Sequence, residues 1–322
     1  MELQIPGIHH VTAITGDVGR NVAFYTRGLG LRLVKRTVNQ DDVGAYHLFY
    51  GDATGSPGTE VTFFHWPDQP PALPGVATIA PVTLRVSGRT ALEWWGRRLK
   101  ELGVPHGEIE ERQGRASLPF QDPEGLRLEL VDDGGAVGGV PWEGSPVPTE
   151  VAVRGIHGVT ISSARPDATI ALLTRLLGFR QVAAGELADG SGSVTIVESG
   201  AGGPGTEVRV LGVREPRVGR PGVGGVHHVA FQTPDEDQQR RWREVLLRAG
   251  LRVTPVIDRY YFTSIYFREP GGVLLEIATN GPGFLVDESR EELGARLSLP
   301  PFLEPRRRAI EAGLRPIELP LG

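Results

Sequence analysis

The sequence predicts an α+β fold of four βαβββ modules in two related halves, and three observations carry that prediction. The first is duplication. Pro57-Gly58-Thr59-Glu60-Val61 returns as Pro204-Gly205-Thr206-Glu207-Val208, an offset of 204 − 57 = 147 residues. Asp122-Pro123-Glu124-Gly125 with Leu128-Glu129 returns as Glu269-Pro270-Gly271-Gly272 with Leu275-Glu276 at the same offset. Self-similarity at a fixed spacing marks a repeated structural unit. The second is that each half divides again: four times an apolar strand leads into a capped helix that ends in glycine and is followed by alternating strands. The third is a histidine doublet in two matching contexts, Gly7-Ile8-His9-His10-Val11 and Gly225-Val226-His227-His228-Val229. A degenerate copy stands at Gly155-Ile156-His157-Gly158-Val159.

The elements follow in order. Asp17 caps a helix running to about Gly28. The second helix spans Thr90 to Gly103, with Leu92, Trp95, Leu99 and Leu102 on one apolar face. Pro166-Asp167 opens the third, which closes at Gly178, and Pro234-Asp235 opens the fourth, which closes at Gly250. Small polar caps, early proline and a terminal glycine are the expected punctuation. Segments such as His47-Leu48-Phe49-Tyr50 and Tyr261-Phe262-Thr263-Ser264-Ile265-Tyr266 read as strands. The expected boundaries are a first half over residues 1–140, a Pro/Gly-rich linker over 141–151, a second half over 152–280 and a tail over 281–322. Within the tail, residues 287–297 and 304–314 read as short amphipathic helices around Pro300-Pro301, expected to cover the barrel mouth or a subunit contact.

Composition narrows the function. A net charge of −5 leaves no basic face for nucleic acid. No apolar run approaches the about 20 residues of a membrane span, and the N-terminus lacks a basic-then-apolar leader. The expectation is a cytoplasmic protein that binds neither nucleic acid nor membrane, with a homo-oligomer left open. There is no cysteine, which removes disulfides, iron–sulfur clusters, thiolate zinc sites and cysteine nucleophiles. Any metal must be held by imidazole and oxygen.

Four of the eight histidines lie in the doublets, and neutral imidazole is the commonest metal ligand. Strand side chains alternate, so neighbouring histidines are expected on opposite faces. The degenerate copy keeps His157 and replaces the second histidine by Gly158, which makes the second positions, His10 and His228, the candidate ligands. Glu276, inside the apolar strand of residues 272–278, supplies a carboxylate that is costly to bury without a partner. Two imidazoles and a carboxylate suit Fe(II) or Mn(II) and leave open coordination positions. His10 belongs to module 1, while His228 and Glu276 belong to module 4. Modules 1 and 4 must therefore face each other, leaving modules 2 and 3 as the other pair. The counterpart site there has Gly158, the strand Pro81-Val82-Thr83 and Glu129 alone, and no metal is expected in it.

Four βαβββ modules, with His on a first strand and Gly-x-x-x-Glu on a last strand, resemble the vicinal oxygen chelate superfamily of glyoxalase I, bleomycin-resistance proteins and extradiol ring-cleaving dioxygenases. Gly7-Ile8-His9-His10-Val11-Thr12, His47-Leu48-Phe49-Tyr50-Gly51-Asp52, Gly55-Ser56-Pro57-Gly58-Thr59 and Leu299-Pro300-Pro301-Phe302-Leu303-Glu304-Pro305 resemble its two-domain hydroquinone dioxygenase branch. The resemblance implies two glyoxalase-like domains of mixed sheets and the same three ligands. It also implies a ring-cleaving dioxygenase that uses Fe(II) or Mn(II) and O2 on a small aromatic, hydroquinones before catechols. It suggests His227 as an acid or base beside the metal and places Arg259 and Tyr266 near the substrate. Thr12 shares the strand face of His10 and is a candidate for the pocket wall, with His9, for which a packed structural histidine is the competing reading. His47, His65 and His106 are read as structural or exposed. Resemblance to glyoxalase I would add a fourth ligand on Val61-Thr62-Phe63-Phe64; alignment puts a phenylalanine at that slot, and a slip brings in Glu60. Two alternatives remain: a glyoxalase-like metal-dependent lyase or isomerase with that fourth ligand, and a metal-free protein that sequesters aromatic compounds.

Overall fold

Each module in the computed structural model, which describes residues 3–112 and 114–317, follows the expected strand–helix–three-strand order. Module 1 comprises β1 (Ile8–Thr15), α1 (Val18–Ala23), β2 (Arg32–Asn39), β3 (Asp42–Gly51) and β4 (Glu60–His65). Module 2 comprises β5 (Thr78–Val86), α2 (Arg89–Glu101), β6 (Glu110–Arg112), β7 (Arg115–Gln121) and β8 (Arg127–Asp132). Module 3 comprises β9 (Ile156–Ser163), α3 (Pro166–Ala171), β10 (Arg180–Glu186), β11 (Gly192–Glu198) and β12 (Glu207–Val213). Module 4 comprises β13 (Val226–Thr233), α4 (Glu236–Arg248), β14 (Ile257–Asp258), β15 (Thr263–Arg268) and β16 (Leu274–Thr279), and α5 (Arg307–Gly313) lies in the tail.

Two mixed eight-stranded sheets result, ordered β14-β15-β16-β13-β1-β4-β3-β2 and β10-β11-β12-β9-β5-β8-β7-β6. Modules 1 and 4 share the first sheet and modules 2 and 3 the second, as the split ligand set requires. Each sheet is joined at its centre by an antiparallel pair of first strands, β1 with β13 and β5 with β9. The helices cover these sheets with their apolar stripes: Leu92, Trp95 and Leu99 of α2 are fully buried, and the Trp95 indole donates to the Val151 carbonyl at 2.7 Å. Leu102, expected on that stripe, is 46% exposed because the helix ends at Glu101 and turns there.

The caps behave as their chemistry demands. Asp17 accepts from the Arg20 amide at 3.0 Å and Asp235 from the Gln238 amide at 2.8 Å. The repeated acidic turns clasp modules together. Asp122 accepts the amides of Glu124 and Leu126 and the Tyr25 hydroxyl, tying module 2 to module 1. Its counterpart Glu269 accepts the amides of Gly271 and Val273 and the Thr169 hydroxyl, tying module 4 to module 3.

The tail departs from expectation in its first part. Residues 287–297 form turns rather than a helix, after a short 3-10 turn at Phe284–Val286. An extended path lets this segment serve β2: Arg32 donates to the carbonyls of Arg290 and Glu291, and the Ser298 amide donates to the Arg36 carbonyl. The second part does form α5, with Ile310 buried. Residues 318–322 of the tail lie outside the described residues.

Candidate metal centre

Register brings the three expected ligands together. On the β1–β13 ladder Thr12 pairs with His228, and on the parallel β13–β16 ladder Ala230 pairs with Glu276. His10, His228 and Glu276 are all fully buried. Simple alternation would turn each histidine pair to opposite faces, and this the structure corrects. The ladder steps from Ile8–Phe231 to His10–Ala230, and from Thr12–His228 to Ala13–Val226. His9 and His227 are thus the extra residues of two β-bulges, which re-aim a side chain where an ordinary strand would not. Both His9 and His10 rings lie 5.3 Å from the Phe262 ring.

The bulged histidines lean on the ligands. His9 Nδ1 is 3.0 Å from His10 Nδ1, and His227 Nδ1 is 2.7 Å from His228 Nδ1. His9 Nε2 is 3.2 Å from the Thr279 carbonyl. A carbonyl can only accept, so His9 carries its proton on Nε2 and offers a bare Nδ1. His10 then donates from Nδ1 and leaves Nε2 as a lone pair, the form a metal ligand needs. Burial, then the neighbouring His10, lowers the His9 pKa to about 3, and burial with His228 does the same for His227. Both are neutral at physiological pH.

The His10 Nε2, His228 Nε2 and Glu276 Oε2 atoms converge. The separations are 3.4 Å for His10–Glu276, 2.8 Å for His228–Glu276 and 3.4 Å for His10–His228. Cis ligands with bonds of about 2.1 Å stand about 3.0 Å apart, so the triangle fits a divalent cation. Glu276 Oε1 takes a hydrogen bond from Ser264 at 2.5 Å, whereas Oε2 is buried without one. A buried carboxylate oxygen without a donor, facing two imidazoles, suits a cation site.

The cluster opens onto a cavity walled by Phe49, Phe64, Tyr261, Phe262 and Tyr266, with His47 and Arg259 as polar members. Arg259 donates to Asp41 at 2.8 Å and reaches the Tyr266 hydroxyl at 3.4 Å, while burial and nearby Glu276 push the Tyr266 phenol up. His9, Thr12 and His227 stand one layer back: Thr12 bonds Thr62 at 2.8 Å, and Phe64 and Trp66 flank His227.

Sequence reasoning set His47 aside, yet it lines the cavity and bonds Thr62 Oγ1 at 3.0 Å. The repeat held a signal for it. Phe49 pairs with Thr62 as Tyr266 pairs with Glu276, so His47 is the counterpart of Ser264, which bonds Glu276. Tyr261 and Phe262 were expected within a strand; they form the tip before β15, where Tyr260 adopts φ +68 and the chain folds inward.

The slot equivalent to Glu276 in module 1 is Thr62, because Thr12 pairs with Thr62 as Ala230 pairs with Glu276. The phenylalanine assignment was off by one residue, and one residue changes the face. Glu60 groups with His9 and His10 rather than with His228 and Glu276. In the other sheet the same slot holds Arg209, whose guanidinium pairs with Glu129 at 3.0 Å and Glu207 at 2.7 Å.

The glyoxalase/bleomycin resistance protein/dioxygenase superfamily model matches residues 7–130 and again 155–277. The chain belongs to this superfamily. Among its relatives is MhqA of Bacillus subtilis strain 168, whose name proposes ring-cleaving dioxygenase activity. It is 44% identical over 317 residues, covering 98% of this chain and all of that protein. The chlorohydroquinone/hydroquinone 1,2-dioxygenase of Sphingobium indicum is 33% identical, covering 94% of this chain and 93% of its own. A crystal structure from Bacillus subtilis strain 168, whose name proposes a dioxygenase, superposes with a TM-score of 0.89 at 39% identity, covering 99% of both chains. Glyoxalase I from maize shares the fold at 15% identity and a TM-score of 0.64, over 85% of this chain and 92% of its own.

Proposed function

We infer that this protein is a ring-cleaving dioxygenase acting on hydroquinone-type aromatics with O2, at a metal centre held by His10, His228 and Glu276. The observation that carries the reading is Glu276 Oε2, buried without a hydrogen bond and facing two imidazole nitrogens at the floor of an aromatic cavity. The ligand set favours Fe(II) or Mn(II). When bound, the metal supplies Lewis acidity and open positions for a phenolate oxygen and dioxygen.

The chain's own groups do the rest. Phe49, Phe64 and Phe262 bound a slot suited to a flat ring. Arg259 stays cationic and can stabilise negative charge on a ring oxygen. Tyr266 keeps its proton, and its hydroxyl, beside Arg259, is placed to hold or pass one. His227 holds His228 through the Nδ1 contact and so orients it toward the cluster.

A lyase or isomerase would need a further carboxylate ligand. Thr62 occupies that slot with its hydroxyl engaged by Thr12 and His47, which favours the dioxygenase. The test is oxygen uptake by anaerobically Fe(II)-loaded protein with methylhydroquinone, chlorohydroquinone or catechol, beside His228→Ala. Uptake with a hydroquinone, reduced more than about 100-fold in the variant, is expected, because partners that only orient a ligand already cost 10–100-fold. Stoichiometric iron with no uptake on any ring would reject the reading.

A further inference from the structure

Lys35 stands out chemically. The chain has 34 basic residues, of which only Lys35 and Lys100 are lysines, and Lys35 is fully buried on β2. Its ammonium has three protons, and three acceptors meet it: Asp287 Oδ1 at 2.7 Å, Glu288 Oε2 and the Phe284 carbonyl at 3.3 Å. A planar guanidinium brings five donors in a fixed fork, and two would go unmet in this enclosed place. The lysine matches the site where arginine, used nearly everywhere else, does not.

All three acceptors belong to the tail, and the tail touches the cavity wall. The Lys35 ammonium lies 4.9 Å from the Tyr261 ring centroid, and the Tyr261 hydroxyl donates to Asp287 Oδ2 at 2.9 Å. The Gly283 amide donates to the Tyr261 carbonyl at 2.8 Å. The Phe284 ring packs 5.0 Å from Phe49 and 5.2 Å from Tyr261, two residues that line the cavity. Phe284 has no slack on its outer side, since a Cβ at Gly55 would fall 2.6 Å from its ring.

Resting on the function inferred above, we propose that Lys35 is a positioning residue that sets which ring substituents the enzyme accepts. It locks residues 284–288 of the tail, Tyr261 and Phe284 into one fixed inner wall. Lys35 touches neither metal ligand nor cavity; it acts through Asp287 and Tyr261. The tail segment thereby backs the cavity wall through Tyr261 and Phe49.

The experiment compares wild type, Lys35→Met/Glu288→Gln and Tyr261→Phe on hydroquinones with hydrogen, methyl, chloro and tert-butyl substituents. Glu288→Gln removes a carboxylate that Lys35→Met would leave without its cation, and Tyr261→Phe leaves both ion pairs in place. Loosening the wall is expected to raise KM for methylhydroquinone about tenfold with kcat little changed, since small misplacements of binding groups carry effects of this size. The preference for small over tert-butyl rings should shrink by a similar factor, with Tyr261→Phe moving the same way by less. Unchanged KM and unchanged ring preference in both variants would overturn the proposal. Anaerobic calorimetry with the same rings separates the two readings. Weakened, less selective binding in the variants supports the wall even where no ring is turned over, and equal binding refutes it even where turnover is rapid.

Discussion

The two sheets descend from one pattern and have solved the same electrostatic problem in different ways. In the sheet of modules 2 and 3, Arg209 extends between Glu129 and Glu207 and pairs with both. Burial works against the Glu207 charge, but the His157 hydrogen bond and the Arg209 charge outweigh it and bring its pKa to about 2. In the sheet of modules 1 and 4 the Arg209 position is Thr62, and among the described residues no guanidinium pairs with Glu60 or Glu276. Glu60, the counterpart of Glu207, is pushed well up by burial and by Asp52 and Glu276 nearby. Glu276, the counterpart of Glu129, faces two imidazoles instead. A protein cation fills one centre, and the other keeps a donor set and an opening suited to an exogenous cation. Besides the two ligand histidines absent from the second sheet, where Gly158 stands for His10 and Pro81 for His228, the difference rests on one strand position, Thr62 against Arg209.

The sharpest way to break the comparison is to exchange that position. Thr62→Arg should place a guanidinium between Glu60 and Glu276 and make the first sheet resemble the second. Metal content after Fe(II) loading should fall at least about tenfold and turnover with it, because the carboxylate would be spent on an internal ion pair. Metal analysis and calorimetric melting check this together. Full metal occupancy in folded Thr62→Arg would show that the equivalence of Thr62 and Arg209 is wrong.

The reverse change tests the second sheet. Arg209→Met takes from buried Glu129 and Glu207 the cation they share and leaves only the longer contacts to Arg112 and Arg115, which costs about 3 kcal/mol and lowers Tm by roughly 4 °C. Metal binding at the other sheet should be untouched. The pH dependence has a definite sign. The folded pKa of Glu207, about 2, lies below its ordinary 4.5, so between those values the unfolded chain binds more protons and stability rises with pH. The contribution is complete above about pH 4.5 and disappears as pH falls through about 2. Urea midpoints from pH 7 to pH 3 should show that slope in wild type and a flatter one in Arg209→Met. Equal slopes would mean that Arg209 does not hold the Glu207 charge.

How much of this was legible in the sequence follows from what repeats and what does not. His10, His228 and Glu276 recur in aligned contexts, and because they fall in modules 1 and 4, they already led to the expectation that those modules face each other; the shared sheet came from the structure. Bulges have no such signature. Nothing in Gly7-Ile8-His9-His10 shows that His9 is the extra residue of its ladder, so alternation misdirected its ring. The Thr62 slot was missed by one position, which only the pairing with Thr12 resolves. Lys35 was invisible for another reason. Its partners Asp287 and Glu288 are 252 and 253 residues away, in a tail outside the repeat, and a charged run there reads equally well as a solvated helix face.

The smallest expected effect concerns how the first sheet closes over its cavity. The hairpin tips of modules 1 and 4 meet there: Gln40 Nε2 donates to the Arg259 carbonyl at 2.8 Å, and Arg259 donates to Asp41 at 2.8 Å. In the second sheet the corresponding β6–β7 hairpin sends Arg112 and Arg115 inward to Glu129 and Glu207, at 3.7 and 3.6 Å. Arg259 faces the cavity while Asp41 holds it from outside, and Asp41 itself is 69% exposed. An ion pair that open to water is worth less than about 1 kcal/mol, so Asp41→Asn should lower kcat/KM only about two- to fivefold. Salt should mimic the variant, since added ions screen an exposed pair and leave the buried ligands alone. Wild-type kcat/KM should therefore drift toward the Asp41→Asn value as ionic strength rises, while the variant stays flat. If both fall in parallel, salt is acting on substrate or metal rather than on the latch, and Asp41 has no part in holding Arg259.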